Sequence, residues 1–101
     1  MCGIVAYIGN KDPIPILIGG LHRLEYRGYD SAGIFVCSNS ESQLTKITGK
    51  VNDLSKILET KPGIDPHLGI GHTRWATHGI PNVTNAHPHY SNSGKLYMVH
   101  N

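Results

Sequence analysis

The sequence has few of the features that mark secreted, membrane-bound or nucleic-acid-binding proteins. It contains two cysteines, and Cys37 lies in an apolar run where a buried reduced thiol is expected, so we predict no structural disulfide. No apolar stretch approaches the ~20 residues of a membrane helix, and no basic and apolar leader opens the chain. The nine Lys and Arg residues form no run that would follow a phosphate backbone. We therefore predict a cytoplasmic protein that binds neither membranes nor nucleic acid.

The size of the chain limits it to one domain at most. Its 101 residues are 39% hydrophobic and 16% charged, which is compatible with a globular core. Strands and helices alternate irregularly, and two strands are joined as a hairpin, which indicates the α+β class. The predicted strands are residues 3–8, 32–37, 44–48, 68–72 and 95–100, the predicted helices are 13–26 and 51–59, and a long loop ends at residue 94.

The most informative residue is the cysteine at position two. Methionine aminopeptidase removes Met1 before a small residue, and Cys2 would then carry a thiol and a free α-amine on one residue. Model α-amines have a pKa of about 7.7–8.0, so a useful fraction is unprotonated at neutral pH and can take the thiol proton. The alternative is that Cys2 is a small apolar residue that opens a buried strand.

Four further blocks of sequence follow Cys2. They are residues 27–33 (RGYDSAG), 72–79 (HTRWATHG), 85–89 (NAHPH) and 99–101 (VHN). Together with Cys2, and in this order, they resemble the class II glutamine amidotransferases, the group with an N-terminal nucleophile. Tyr29 and the sequence of residues 74–78 are most similar to the corresponding blocks of the members that transfer ammonia to fructose 6-phosphate. Members with other acceptors, such as amidophosphoribosyltransferases and asparagine synthetases, share the N-terminal chemistry and stay open as alternatives.

The resemblance implies that the chain hydrolyses the side-chain amide of L-glutamine. Cys2 would attack the amide carbon with its own α-amine as the base, and Asn101 would stabilise the tetrahedral oxyanion. An asparagine amide suits that role because it is a neutral donor, and removal of such a donor typically costs ~100- to 1,000-fold in rate.

The resemblance also implies which residues bind the substrate. Arg74, with Thr77 and His78, would hold the α-carboxylate of glutamine and its neighbouring atoms, and Trp75 would gate a channel for the ammonia. A planar guanidinium matches a carboxylate, which supports Arg74 independently. Taken singly, Arg74 also fits an ion pair with Asp30, and Trp75 fits the interior of a core.

The family fold is a four-layer αββα sandwich, and residues 2–101 would form the N-terminal part of it. The family's second oxyanion donor, a glycine, and its aspartate ligand for the α-ammonium group would both follow Asn101. We therefore expect a longer, homo-oligomeric protein that needs no cofactor, and we expect residues 1–101 alone to lack significant glutaminase activity.

Two other interpretations rest on the residues alone. Five of the seven histidines crowd the C-terminal third, which is compatible with a zinc site of three imidazoles, although their spacing matches no compact ligand motif. On balance we predict no metal. A non-catalytic module that binds an anion through Arg74 would keep its affinity after Cys2 is replaced. The five histidines are His72, His78, His87, His89 and His100.

Overall fold

The computed structural model describes residues 2–75 and 79–101, which form an antiparallel sheet with two helices on one face and a short two-stranded ribbon. The predicted α+β class is confirmed. The elements are β1 (Gly3–Ile8), α1 (Pro13–Leu24), β2 (Ser31–Cys37), β3 (Ser42–Thr48), α2 (Val51–Glu59), β4 (Leu68–Arg74), β5 (His89–Tyr90) and β6 (Tyr97–Met98).

The order of strands in the four-stranded sheet is β1-β4-β2-β3, and every neighbouring pair is antiparallel. In this register Gly3 lies opposite Thr73, and Arg74 lies opposite Ser31. The start of β1, the end of β4 and the start of β2 therefore meet at one end of the sheet. Cys2 and Arg74, which are far apart in sequence, are placed at the same end.

Helix α1 begins where the sequence predicts. Asp12 caps it by accepting a hydrogen bond from the N–H of Ile14 at 3.0 Å, and Pro13 occupies the first helical position. The helix ends two residues earlier than predicted and continues as a 3₁₀ turn over Glu25–Arg27, which Gly28 closes with φ +106°. In the part of the chain that the structure describes, no helix is long and apolar enough to span a membrane.

The core lies between the helices and one face of the sheet. Alternate side chains of β2 point to this face, as expected for the two-residue period of a strand, and both helices supply leucines. A Cβ on Gly69 of β4 would lie 2.6 Å from Cδ1 of Leu17, so glycine at this position lets α1 lie close to the sheet. The fully buried apolar side chains of this core are Leu17, Leu21, Ala32, Ile34, Val36, Val51 and Leu54.

The opposite face of the sheet is only partly covered. Tyr97 of β6 stacks on Phe35 of β2 with ring centroids 3.7 Å apart, so the C-terminal segment packs over the centre of this face. The β1 side chains on the same face are exposed, with Ile4 at 43% and Ile8 at 77% of their accessible area. Along β1, this second face of the sheet is therefore apolar, and no other part of residues 2–75 and 79–101 covers it fully.

Two predicted boundaries near the C-terminus are wrong. β4 runs two residues further than predicted, so Arg74 is its last residue, because β2 continues to pair with it as far as Ser31. The strand predicted over 95–100 covers only Tyr97–Met98, and its partner β5 lies inside the predicted loop. A strand needs a paired neighbour, and β5 offers two residues, so the ladder ends there.

Candidate active site

The structure brings together the two residues that the sequence assigns to catalysis. Cys2 immediately precedes β1, and Asn101 follows β6 by three positions. The backbone N–H of Cys2 donates a hydrogen bond to Oδ1 of Asn101 across 3.3 Å. None of the other hydrogen bonds of residues 2–75 and 79–101 engages the Asn101 amide, so its Nδ2 hydrogens are available to another acceptor.

A buried histidine fixes the segment that carries Asn101. His72 of β4 lies opposite Ile4 of β1 and Gly33 of β2, and its Nε2 is 2.7 Å from the carbonyl oxygen of His100. The hydrogen bond ties the backbone immediately before Asn101 to the sheet. The sequence alone suggests His72 as a possible metal ligand, and its place inside a predicted strand is the signal that indicates another role.

Three histidine rings pack against one another beside this contact. The rings of His72 and His87 are stacked with centroids 4.0 Å apart, and those of His87 and His89 are 4.2 Å apart. Burial lowers the pKa of His72 and His89, and it lowers the pKa of His87 to about 3, to which the neighbouring His72 also contributes. The three rings are therefore neutral at pH 7 and pack as flat, largely apolar groups.

The histidine stack does not form a metal centre in the described residues. Within residues 2–75 and 79–101, no group of three or more His, Cys, Asp or Glu side chains is arranged to hold a metal ion. His78, the fifth histidine of the C-terminal third, lies outside the described residues.

Arg74 is buried at the end of β4 and makes the ion pair that the sequence suggested as an alternative. Its Nη1 lies 3.9 Å from Oδ1 of Asp30 and donates to the carbonyl oxygen of Ile80 at 3.3 Å. The backbones also meet, because the N–H of Asp30 donates to the carbonyl of Arg74 at 2.7 Å. The loop before β2 and the segment after β4 therefore hold the guanidinium from two sides.

Trp75 lies on the surface, so its interpretation as a core residue is wrong. The side chain is 51% exposed. Its indole rests on Gly28, where an added Cβ would lie 2.8 Å from Cε3 of Trp75. The sequence predicts Gly28 as a left-handed cap at the end of the helix, and no signal in the sequence marks its contact with this indole. Thr77 and His78, the other two predicted substrate-binding residues, lie outside the described residues.

Comparison with known proteins supports the resemblance seen in the sequence. No protein-family model matches the chain. Among curated proteins, the chain is 55% identical over 101 residues to glutamine–fructose-6-phosphate aminotransferase (isomerizing) of Caldanaerobacter subterraneus. This chain matches one segment of the glutamine–fructose-6-phosphate aminotransferases. The aminotransferases of Bacteroides thetaiotaomicron and Pyrococcus horikoshii are 56% identical over 102 residues and 53% identical over 103 residues.

The matches cover the whole of this chain but a small part of each aminotransferase. The chain spans 16% of the length of the Caldanaerobacter and Bacteroides proteins and 17% of that of the Pyrococcus protein. The name of these relatives states an amino-group transfer between glutamine and fructose 6-phosphate. The predicted relationship to this group of aminotransferases is confirmed.

Proposed function

We propose that this chain is the glutamine-hydrolysing part of a glutamine–fructose-6-phosphate aminotransferase, with Cys2 as its nucleophile. The observation that carries the proposal is the 3.3 Å contact between the nitrogen of Cys2 and Oδ1 of Asn101. The identity of 53–56% to three aminotransferases supports the same assignment. L-Glutamine is the substrate of this part, and fructose 6-phosphate is the acceptor bound elsewhere in the full-length protein.

The chemistry uses both polar groups of one residue. After removal of Met1, the nitrogen that contacts Asn101 is the α-amine of Cys2. The amine takes the thiol proton, the thiolate attacks the amide carbon of glutamine, and the proton passes to the leaving nitrogen so that ammonia departs. Water then hydrolyses the thioester to release glutamate and restore the thiol.

Asn101 serves this reaction in two ways. Its Oδ1 orients the α-amine, as the hydrogen bond to the Cys2 nitrogen indicates. With Oδ1 turned to the amine, the Nδ2 hydrogens are directed to the oxygen on which negative charge develops after attack. One side chain thereby orients the base and stabilises the transition state.

Arg74 supplies the charge that recognises the substrate. Its guanidinium is held by Asp30 and by the carbonyl of Ile80, so its direction is set before glutamine binds. The guanidinium would bind the α-carboxylate of glutamine, with help from Thr77 and His78. Trp75 fits the role of a channel gate because a half-exposed indole on a glycine can move without disturbing the core.

We propose the four-layer αββα sandwich as the fold of the complete domain, of which residues 2–101 are one part. The open apolar edge formed by Ile4 and Ile8 supports this proposal, since a second sheet would bury it. The relatives provide the additional length that a second sheet requires. The predicted cytoplasmic location, the homo-oligomer and the absence of nucleic-acid, membrane and metal binding stay predictions.

Glutamate release from L-glutamine by the full-length protein tests the proposed function. We expect turnover that is coupled to formation of glucosamine 6-phosphate when fructose 6-phosphate is added. Turnover coupled to a phosphoribosyl acceptor would instead assign the chain to the amidophosphoribosyltransferases. Binding of glutamine without any release of glutamate would support the non-catalytic module.

A further inference from the structure

One buried polar group near the candidate site has no part in the chemistry proposed above. His72 is completely buried in β4, between two strands, and it lies on the second face of the sheet. Its Nε2 approaches the carbonyl oxygen of His100 to 2.7 Å. Burying a polar histidine ring costs free energy unless its polar atoms are hydrogen-bonded, so this contact offsets part of the cost.

The partner of Nε2 defines the tautomer of the ring. A carbonyl oxygen can only accept a hydrogen bond, so Nε2 of His72 must carry the hydrogen. Nδ1 then carries a lone pair, and it is buried without a hydrogen-bond partner among residues 2–75 and 79–101. Burial also lowers the pKa of His72, which favours this neutral form.

The direction of the ring is fixed by its neighbours. His87 stacks on it with centroids 4.0 Å apart and an interplanar angle of 17°. The backbone of His87 lies directly against the sheet, since its carbonyl oxygen is so close to Gly33 that an added Cβ would collide with it. His72 therefore presents one donor in one direction.

The donor acts one residue away from the candidate oxyanion residue. It holds the carbonyl of His100, the next residue is Asn101, and Oδ1 of Asn101 contacts the nitrogen of Cys2. We propose that His72 is a positioning residue for glutamine hydrolysis, whose Nε2–H anchors the His100 carbonyl and so places the Asn101 amide at Cys2. The proposal rests on the function proposed above.

Two substitutions remove the imidazole ring but place an amide donor at different distances from the backbone. The terminal amide nitrogen of glutamine reaches about as far from the backbone as Nε2 of histidine, whereas that of asparagine reaches only as far as Nδ1. In the full-length protein, His72→Asn should therefore lose the hydrogen bond to His100 and His72→Gln should retain it. A displacement of about 1 Å in a catalytic group can cost ~100-fold in rate.

The experiment compares kcat and KM for glutamate release by the wild type, His72→Asn and His72→Gln, with thermal unfolding as the measure of folding. We expect His72→Asn to lower kcat about 100-fold with a change in the KM for glutamine of less than about threefold. We expect the kcat of His72→Gln to be at least about tenfold higher than that of His72→Asn.

Three results would overturn the proposal. They are an unchanged kcat in His72→Asn, an equal loss of kcat in both variants, and a change in KM alone. If His72→Asn does not fold, the kcat of folded His72→Gln decides. A kcat within tenfold of the wild type supports the proposal, and a larger loss rejects it. Failure of the proposed function looks different, because the wild type would then release no glutamate or Cys2→Ala would keep the activity.

Discussion

The backbone nitrogen of Cys2 and the side-chain oxygen of Asn101 lie 3.3 Å apart although 99 positions separate them in the sequence. Beside this contact, His72 of β4 lies opposite Ile4 of β1, and its Nε2 is 2.7 Å from the carbonyl oxygen of His100. A cysteine thiol, the nitrogen of the same residue and a neutral amide therefore lie at one end of one sheet.

Replacement of Cys2 by alanine should abolish glutamine hydrolysis in the full-length protein. Loss of the thiol removes the group that forms the covalent intermediate, so we expect glutamate release to fall more than about 1,000-fold. Intact-mass analysis after treatment with a glutamine-analogue electrophile such as diazo-oxo-norleucine should show one label on Cys2. Cys37→Ala is the matched control and should keep both activity and labelling. Labelling at Cys37, or undiminished activity in Cys2→Ala, would reject Cys2 as the nucleophile.

Replacement of Asn101 by alanine should lower kcat for glutamate release by about 100- to 1,000-fold, the usual cost of removing one oxyanion donor. Asn101→Asp should be at least as impaired, because a negative charge beside the developing oxyanion opposes the transition state. Steady-state kinetics of the full-length variants provide the measurement. Asn39→Ala, an exposed residue in the turn between β2 and β3, is the control. A kcat within tenfold of the wild type in Asn101→Ala would remove Asn101 from the oxyanion site.

Replacement of Arg74 by lysine should raise the KM for glutamine while the fold is retained. Lysine keeps the charge next to Asp30 but loses the planar pair of donors, and a hydrogen bond to a charged group is worth about 1.5–3 kcal/mol. We expect a rise in KM of about 10- to 100-fold, measured by glutamate release. Arg23→Lys, on the exposed face of α1, should leave KM unchanged. An unchanged KM in Arg74→Lys would separate Arg74 from substrate binding.

The polypeptide of residues 1–101, produced alone, should release glutamate at less than about a tenth of the rate of the full-length protein. Its terminal carboxylate would adjoin the amide of Asn101, where negative charge destabilises the oxyanion. Circular dichroism establishes whether the piece folds, and glutamate release by both forms is then compared. Turnover within about tenfold of the full-length protein would show that the oxyanion site is placed wrongly.

The histidine stack should make stability depend on pH. A histidine in an unfolded chain has a pKa of about 6.5, whereas burial lowers the pKa of His87 to about 3 in the folded state. Between these values the unfolded chain binds more protons than the folded chain, so the free energy of unfolding decreases as pH falls from about 6.5 toward 3. The charged form is opposed by burial first and then by the nearby His72, His89, Arg74 and His100.

Thermal unfolding of the wild type and of His87→Phe between pH 7.5 and pH 4.5 measures this contribution. Phenylalanine can stack on His72 but cannot be protonated, so the unfolding midpoint of His87→Phe should depend less steeply on pH. His67→Gln, whose ring is exposed, should keep the slope of the wild type. Equal slopes in the wild type and His87→Phe would show that His87 does not contribute.

Most of the elements could be predicted because their signals are local. Asp12 and Pro13 mark the start of α1 by the hydrogen bond and the backbone angle that they supply themselves. The apolar run of β2, the polar turn after it and the following strand mark a hairpin whose partners are neighbours in sequence. β6 was predicted too long because the length of a strand depends on its partner, and β5 carries no strong signal of its own.

The family resemblance carried by the motifs also implied Cys2, Asn101 and Arg74 as candidates, and the chemistry of each residue type is compatible with its role. What it could not supply is the contact between Cys2 and Asn101, or the part that His72 plays in it. Contacts between residues so far apart depend on the order and register of the strands, and these result from packing the whole sheet against its helices. The sequence therefore establishes which groups are present, and the antiparallel pairing of β1 with β4 establishes which of them meet.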